Sequence, residues 1–185
     1  MSEEILLDMT EKMEKSIEAF RIELSRIRTG RASISLLDGV KVDSYGAMMP
    51  INQVATLTIP ESRMIVIQPW DPQVLPAIEK AILKSNLGLT PASDGKVIRI
   101  NIPQLTEERR KELVKQVKKT CEDFRVNIRN SRRDAIDQFK KMKKDKEISE
   151  DDLFKYQEEA QKETDRFIQQ IDDALVEKEK EVMEV

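Results

Sequence analysis

The placement of glycine and proline constrains this chain more than any other feature. All five glycines fall between Gly30 and Gly95, and all seven prolines between Pro50 and Pro103. The flanking segments, 1–29 and 104–185, hold neither residue. Helix interiors exclude these two residues most strongly. The outer segments therefore read as long helices, and the middle as a compact unit inserted between them. Each helical segment carries apolar residues at steps of three and four. The first run is Leu6, Met9, Met13, Ile17, Phe20, Leu24 and Ile27. The second is Val114, Val117, Cys121, Phe124, Ile128, Ser131, Ala135 and Met142, with Gln138 filling the missing step. The third is Leu153, Ala160, Thr164, Phe167, Ile171 and Val182, with Gln157, Ala174 and Lys178 as weaker members. One amphipathic helix cannot bury its own stripe. Three stripes predict a three-helix bundle, with a dimeric coiled coil as the competing arrangement. Thr106 before Glu107 and Glu108, and Ser149 before Glu150, Asp151 and Asp152, mark the starts of the second and third helices.

The insert mixes periods. Val40 to Tyr45, Val54 to Ile59, Met64 to Gln68 and Val97 to Ile102 are short β-favouring runs bounded by turn residues. Val74 to Ser85 has Leu75, Ile78 and Ile82 at helical spacing. The expectation is an α+β protein: a bundle domain from 1–29 and 104–185, and a small α/β domain from 30–103. Two linkers, near Gly30–Arg31 and Pro103–Gln104, are the only connections, and a double linker of this kind can bend as a hinge.

Composition removes whole classes of chemistry. There is no histidine, so imidazole acid–base catalysis and His-ligated metals are excluded. The single cysteine, Cys121, excludes an intrachain disulfide and multi-thiolate metal sites, and it lies in an apolar stripe where it reads as core. No GxxxxGK[ST] or GxGxxG phosphate loop occurs. The carboxylate pairs Asp151/Asp152 and Asp172/Asp173 sit in an acidic helix and read as solvated surface. No apolar run approaches the ~20 residues that span a bilayer. The acidic amino terminus resembles neither a signal nor a transit peptide. A non-enzymatic protein of the reducing cytoplasm is expected, without catalytic residues, metal or cofactor.

The net charge of −3 hides a strong polarity. Residues 104–148 hold fifteen basic and nine acidic side chains, whereas 149–185 hold five and thirteen. At about 100° per residue, Lys111, Lys115, Lys118, Arg129, Arg132, Arg133, Lys140 and Lys143 fall within roughly 80° of Arg125. Glu122 is the one acid inside that band. Surface salt bridges between neighbouring basic and acidic helices are the competing explanation of this sorting. Lys115 and Arg133 project away from the apolar seam, however. The dense cluster at 125, 129, 132 and 133 is arginine, whose planar fork suits phosphate. No aromatic lies among the arginines, so base stacking is not the mode. The face points to the backbone of folded RNA or a duplex, read by shape. Trp70, in Pro69-Trp70-Asp71-Pro72, reads as a turn anchor, with partner binding as its alternative.

These residues resemble the ribosome recycling factor family along the whole chain. The resemblance rests on Arg28-Thr29-Gly30-Arg31-Ala32, Ser35-Leu36-Leu37, Tyr45-Gly46, Pro69-Trp70-Asp71, Ile78 to Ile82, Leu87-Gly88-Leu89, Leu105 to Leu113, Ile128 to Asp134, Ile148 to Asp152 and Gln161 to Asp165. Asp43-Ser44-Tyr45 stands where the family often has two tyrosines, and Ala47-Met48-Met49 replaces a more polar turn. The resemblance implies an L-shaped two-domain molecule that acts as a monomer after termination. It implies binding to the large ribosomal subunit and, with the GTPase elongation factor G, separation of the subunits. Arg129, Arg132 and Arg133 would then contact ribosomal RNA, with Arg28 and Arg31 nearby; the face analysis adds Arg125 and Lys118. Gly30, Arg31, Pro103 and Gln104 would form the hinge. A coiled-coil scaffold binding protein alone, and a carboxylate-metal hydrolase, are the alternatives from other classes.

Overall fold

A computed structural model describes residues 1–184, which divide into two compact units, 1–29 with 107–184 and 30–106. The first unit consists of three helices: α1 (Ser2–Ser25), α3 (Glu107–Lys144) and α4 (Glu150–Met183). All three pack on one another within a single chain, which gives the three-helix bundle. At 1.5 Å per residue α3 is a rod of about 57 Å.

The core of the bundle follows the apolar stripes. Met9, Met13, Ile17, Phe20 and Leu24 of α1 are buried, as are Ala160, Phe167, Ile171 and Val182 of α4. On α3 the buried residues are Leu113, Val117, Cys121, Ile128, Ala135 and Phe139. Gln138, expected to fill a step of that stripe, is exposed; Phe139 takes the place and stacks on Tyr156 of α4, ring centroids 5.0 Å apart. Phe124 tilts against Phe20 of α1 at 5.4 Å. A helix in a three-helix bundle faces two partners, so its buried stripe is wider than a single seam.

The turn between α3 and α4 is tight and closed by backbone hydrogen bonds. Lys146 adopts φ +60°, its N–H bonds to the Lys143 carbonyl, and the Glu147 N–H bonds to the Met142 carbonyl. This is a Schellman closure with lysine in the position that usually holds glycine. Ser149 then opens α4 with a reciprocal capping box: its Oγ accepts from the Asp152 N–H, and Asp152 Oδ2 accepts from the Ser149 N–H.

The second unit contains a hairpin of β1 (Lys41–Ser44) and β2 (Ala47–Pro50). Its main sheet is antiparallel, of β3 (Ala55–Glu61), β4 (Met64–Pro69), β5 (Pro91–Ser93) and β6 (Ile98–Asn101), in the order β3-β4-β6-β5. Helix α2 (Leu75–Lys84) crosses between β4 and β5. Alternation sends Ile65, Ile67, Ile98 and Ile100 inward, where Ile65 opposes Ile100 and Ile67 opposes Ile98. Leu75, Ile78 and Ile82 of α2 join the same core. The short strands β2 and β5 were not foreseen: proline, alanine, serine and methionine carry little β signal, and both strands lie at sheet edges, where proline is tolerated.

The linkers are irregular segments. Residues 26–33 and 102–106 carry no regular secondary structure. The Ala32 N–H bonds to the Ser62 carbonyl and the Ile102 N–H to the Arg63 carbonyl, both at 2.7 Å, so one β-turn holds both strands of the linker. Gly30 adopts φ +80°, and a Cβ there would stand 2.9 Å from Cγ of Leu105.

Candidate nucleic-acid interface

The basic face of α3 resolves into two rows with different surroundings. Lys118, Arg125 and Arg132 repeat every seven residues along the edge that adjoins α4. Their partners run the opposite way along α4. Lys118 Nζ lies 3.6 Å from Glu179 Oε1. Arg125 donates through Nε at 2.9 Å and Nη2 at 2.6 Å to Asp172 Oδ1. Arg132 Nη1 donates to Gln161 Oε1, and Gln161 Nε2 in turn donates to Asp165 Oδ1 at 2.7 Å. Farther along, Lys143 pairs with Glu150 at 3.5 Å.

Arg125 is largely enclosed, with 16% of its side chain exposed. Burial alone would lower its basicity, but hydrogen bonds to Asp172 and Glu122 outweigh it and hold the guanidinium charged. Its fork is occupied by carboxylates, so its first role is to brace α3 against α4. Arg132 differs. Its Nε is buried and has no hydrogen-bond partner among the described residues, and only Gln161, a neutral group, holds its fork. No carboxylate among the described residues bonds it directly.

The outer row is Lys115, Arg129, Arg133 and Lys140. Arg129 reaches Glu122 at 3.1 Å, and Glu122 also bonds Arg125 at 3.2 Å. These two arginines keep the Glu122 carboxyl below the usual carboxylate range. The acid in the basic band is thus a tether between the two rows. Among the described residues, Lys115, Arg133 and Lys140 have neither a hydrogen bond nor an ion pair. At 100° per residue they lie within about 20° of one another over about 38 Å of helix. Unpaired cations aligned over that length suit a polyanion whose phosphates recur along an edge. Lys115 and Lys140 belong to this row although the resemblance singles out arginines; their exposure and angular position were the available signal.

Arg28 and Arg31 lie in the irregular segment after α1, both exposed and both engaged with neighbouring groups. Of the hinge candidates, Gly30 is buried and Arg31, Pro103 and Gln104 are exposed. Cys121 is buried, and burial pushes its thiol up, away from reactivity. No group of three or more His, Cys, Asp or Glu among the described residues could hold a metal ion. No helix among them is long and apolar enough to cross a membrane.

Fold and surface together define a two-unit α+β protein whose long-helix bundle carries a charge-sorted basic face. A family model described as "Ribosome recycling factor" matches residues 20–183. The ribosome-recycling factor of Desulfotalea psychrophila is 69% identical over 182 residues, covering 98% of this chain and 99% of that protein. Among solved structures, a solution structure of the ribosome recycling factor matches with a TM-score of 0.79 at 42% identity, over 100% of this chain and 98% of that one. Another match is the T. thermophilus ribosome recycling factor, placed with E. coli elongation factor G on the E. coli post-termination complex. Its TM-score is 0.67 at 46% identity, over 99% of each chain. The chain belongs to the ribosome recycling factor family.

Proposed function

We propose that this chain is a translation factor of the cytoplasm. It binds the large ribosomal subunit after termination and, with elongation factor G and GTP, splits the post-termination complex so that ribosomes are recycled. The observation that carries this reading is the end-to-end likeness to a family member placed with elongation factor G on a post-termination complex. The chain supplies binding and leverage, while nucleotide hydrolysis belongs to its partner, consistent with the lack of any phosphate-loop motif.

Within that reading, the two rows of α3 divide the work. Arg133, with Lys115 and Lys140, presents charge that no group among the described residues pairs with, and these groups meet ribosomal RNA phosphates directly. Arg129 exchanges Glu122 for phosphate. Arg132 adds a fork held only by Gln161, and Arg28 and Arg31 extend the contact beyond α1. Arg125 and Lys118 act mainly by holding the face in shape. The acidic surface of α4 repels phosphate docked in the wrong orientation. Bending is confined to residues 26–31 and 103–106, because Ala32 and Ile102 are already tied to the β3–β4 turn.

Light scattering of post-termination ribosomes with elongation factor G and GTP tests this function. The chain should drive subunit separation that needs all three components. An engineered crosslink between the linkers should leave ribosome binding intact and abolish splitting. Full splitting by the crosslinked protein would overturn the lever mechanism, and no splitting by the unmodified chain would overturn the assignment.

A further inference from the structure

The bundle offers charge; the insert offers the opposite. Tyr45, 75% exposed, and Trp70, 64% exposed, are the two aromatic residues of that unit, and both rings are open to solvent. Both are fixed at their polar ends. The Tyr45 hydroxyl donates to Asp71 Oδ2, with Gln73 Oε1 as a second acceptor at 3.3 Å. The Trp70 indole N–H donates to Thr56 Oγ1 at 2.8 Å, and the Trp70 backbone N–H bonds to the Val54 carbonyl. Asp71 is held in turn by the Gln73 N–H. With their polar atoms satisfied, the two rings have only their faces left to offer.

The hairpin turn requires positive φ at Tyr45, but it does not require a tyrosine there. Tyr45 and Gly46 form the two-residue turn of the β1–β2 hairpin, with φ +52° and +86°. Such turns favour asparagine, aspartate or glycine at the first position. A tyrosine there is uncommon, and strain of this kind gathers at functional sites. Beside it stands Met48, 63% exposed.

Charge selects the partner. Residues 43–56 and 68–74 contain two carboxylates, Asp43 and Asp71, and no lysine or arginine. The hydrogen bond from Tyr45 and that from the Gln73 N–H hold the Asp71 carboxyl below its ordinary range, so it stays ionised. An unpaired RNA base stacking here would bring its phosphates toward these acids. A guanidinium or ammonium would instead gain both the ring faces and the carboxylates. Tryptophan and tyrosine are also the side chains on which protein interfaces concentrate their binding energy.

We propose that the Tyr45–Trp70 surface of the insert docks an arginine- or lysine-bearing segment of a protein partner. The inference needs no ribosome, so it stands or falls separately from the function proposed above. Trp70 is the only tryptophan, and its emission reports the site directly. The intact chain is titrated with a synthetic Gly-Arg repeat hexapeptide, with the same peptide carrying citrulline for arginine, and with oligouridylate. A saturable change in Trp70 emission with the arginine peptide is expected, about three- to tenfold weaker with citrulline. Asp71→Asn, and separately Asp43→Asn should the first variant lose its melting transition, should weaken the arginine peptide several-fold. Equal response to arginine and citrulline would overturn the proposal. A response to oligouridylate alone would make the surface a base-stacking platform and overturn it equally. No response from a folded chain at millimolar peptide would overturn it as well.

Discussion

The bundle and the insert solve the problem of folding by different means. The bundle has three helices of 24, 38 and 34 residues, and one periodicity governs both its core and its charge pattern. The insert has strands of three to seven residues and depends on turns, where single backbone geometries decide register. Regularity lets the bundle present cations over a long edge. Tight turns let the insert hold two aromatic rings rigidly in the open.

That contrast predicts unequal responses to damage. In the insert, Ile67→Ala removes a fully buried side chain from the centre of a small core, at a cost of about 2–5 kcal/mol. Hydrogen exchange should show the insert losing protection while the helices keep theirs; uniform loss would mean that the units do not fold separately. Gly30→Ala forces a side chain into φ +80° against Leu105, costing about 1–3 kcal/mol. Adding Leu105→Ala should recover part of that cost in urea melts, whereas additive costs would show that the close approach is unimportant.

Within the bundle the two rows of α3 should separate. Arg125→Ala leaves Asp172 without its partner and, because that carboxylate is half exposed to water, should cost about 1 kcal/mol, whereas Arg133→Ala should change stability by no more than about 0.5 kcal/mol. Equal effects in thermal melts would erase the distinction between bracing and presenting cations. Ser149→Ala should cost about 1 kcal/mol by opening the capping box. A smaller effect concerns pH. The Glu122 and Asp152 carboxyls are held below their ordinary values of 4.5 and 3.8, Glu122 first by Arg125 and then Arg129, and Asp152 by the Ser149 backbone and side chain. Depressed carboxyls stabilise the fold above the unfolded values and lose that contribution as pH falls below them. Urea midpoints should therefore be flat from pH 6 to 5 and decline toward pH 3, less steeply in Glu122→Gln.

The sequence made the fold class readable because glycine and proline are confined to one stretch and the helices carry regular apolar steps. It misled at Gln138: a step of three from Ala135 lands there, whereas the residue actually buried is Phe139, four on from Ala135 and three before Met142, where it stacks on Tyr156. Strands β2 and β5 escaped because their residues carry little β preference and gain their conformation from pairing. The charge face was visible as an angular cluster, but its division was not. Arg125 sits at the middle of that cluster by angle, and only the position of Asp172 on α4 shows that its fork is taken. The strained turn at Tyr45 likewise needed backbone angles, which a Tyr-Gly pair only hints at.

The central claim is that the outer row of α3, joined by Arg132, meets RNA while Arg125 and Lys118 of the inner row hold the helix in place. Its most direct test is co-sedimentation with isolated large ribosomal subunits across salt concentrations. The unmodified chain is compared with Arg129→Ala/Arg133→Ala and with Lys118→Ala/Arg125→Ala, all confirmed as folded. Log affinity should fall steeply with log salt, and the outer-row variant should be shallower by roughly 0.7–0.9 per lost phosphate contact. The inner-row variant should keep the parent slope. Identical slopes for the parent and the outer-row variant, or a shallower slope for the inner row alone, would contradict the account.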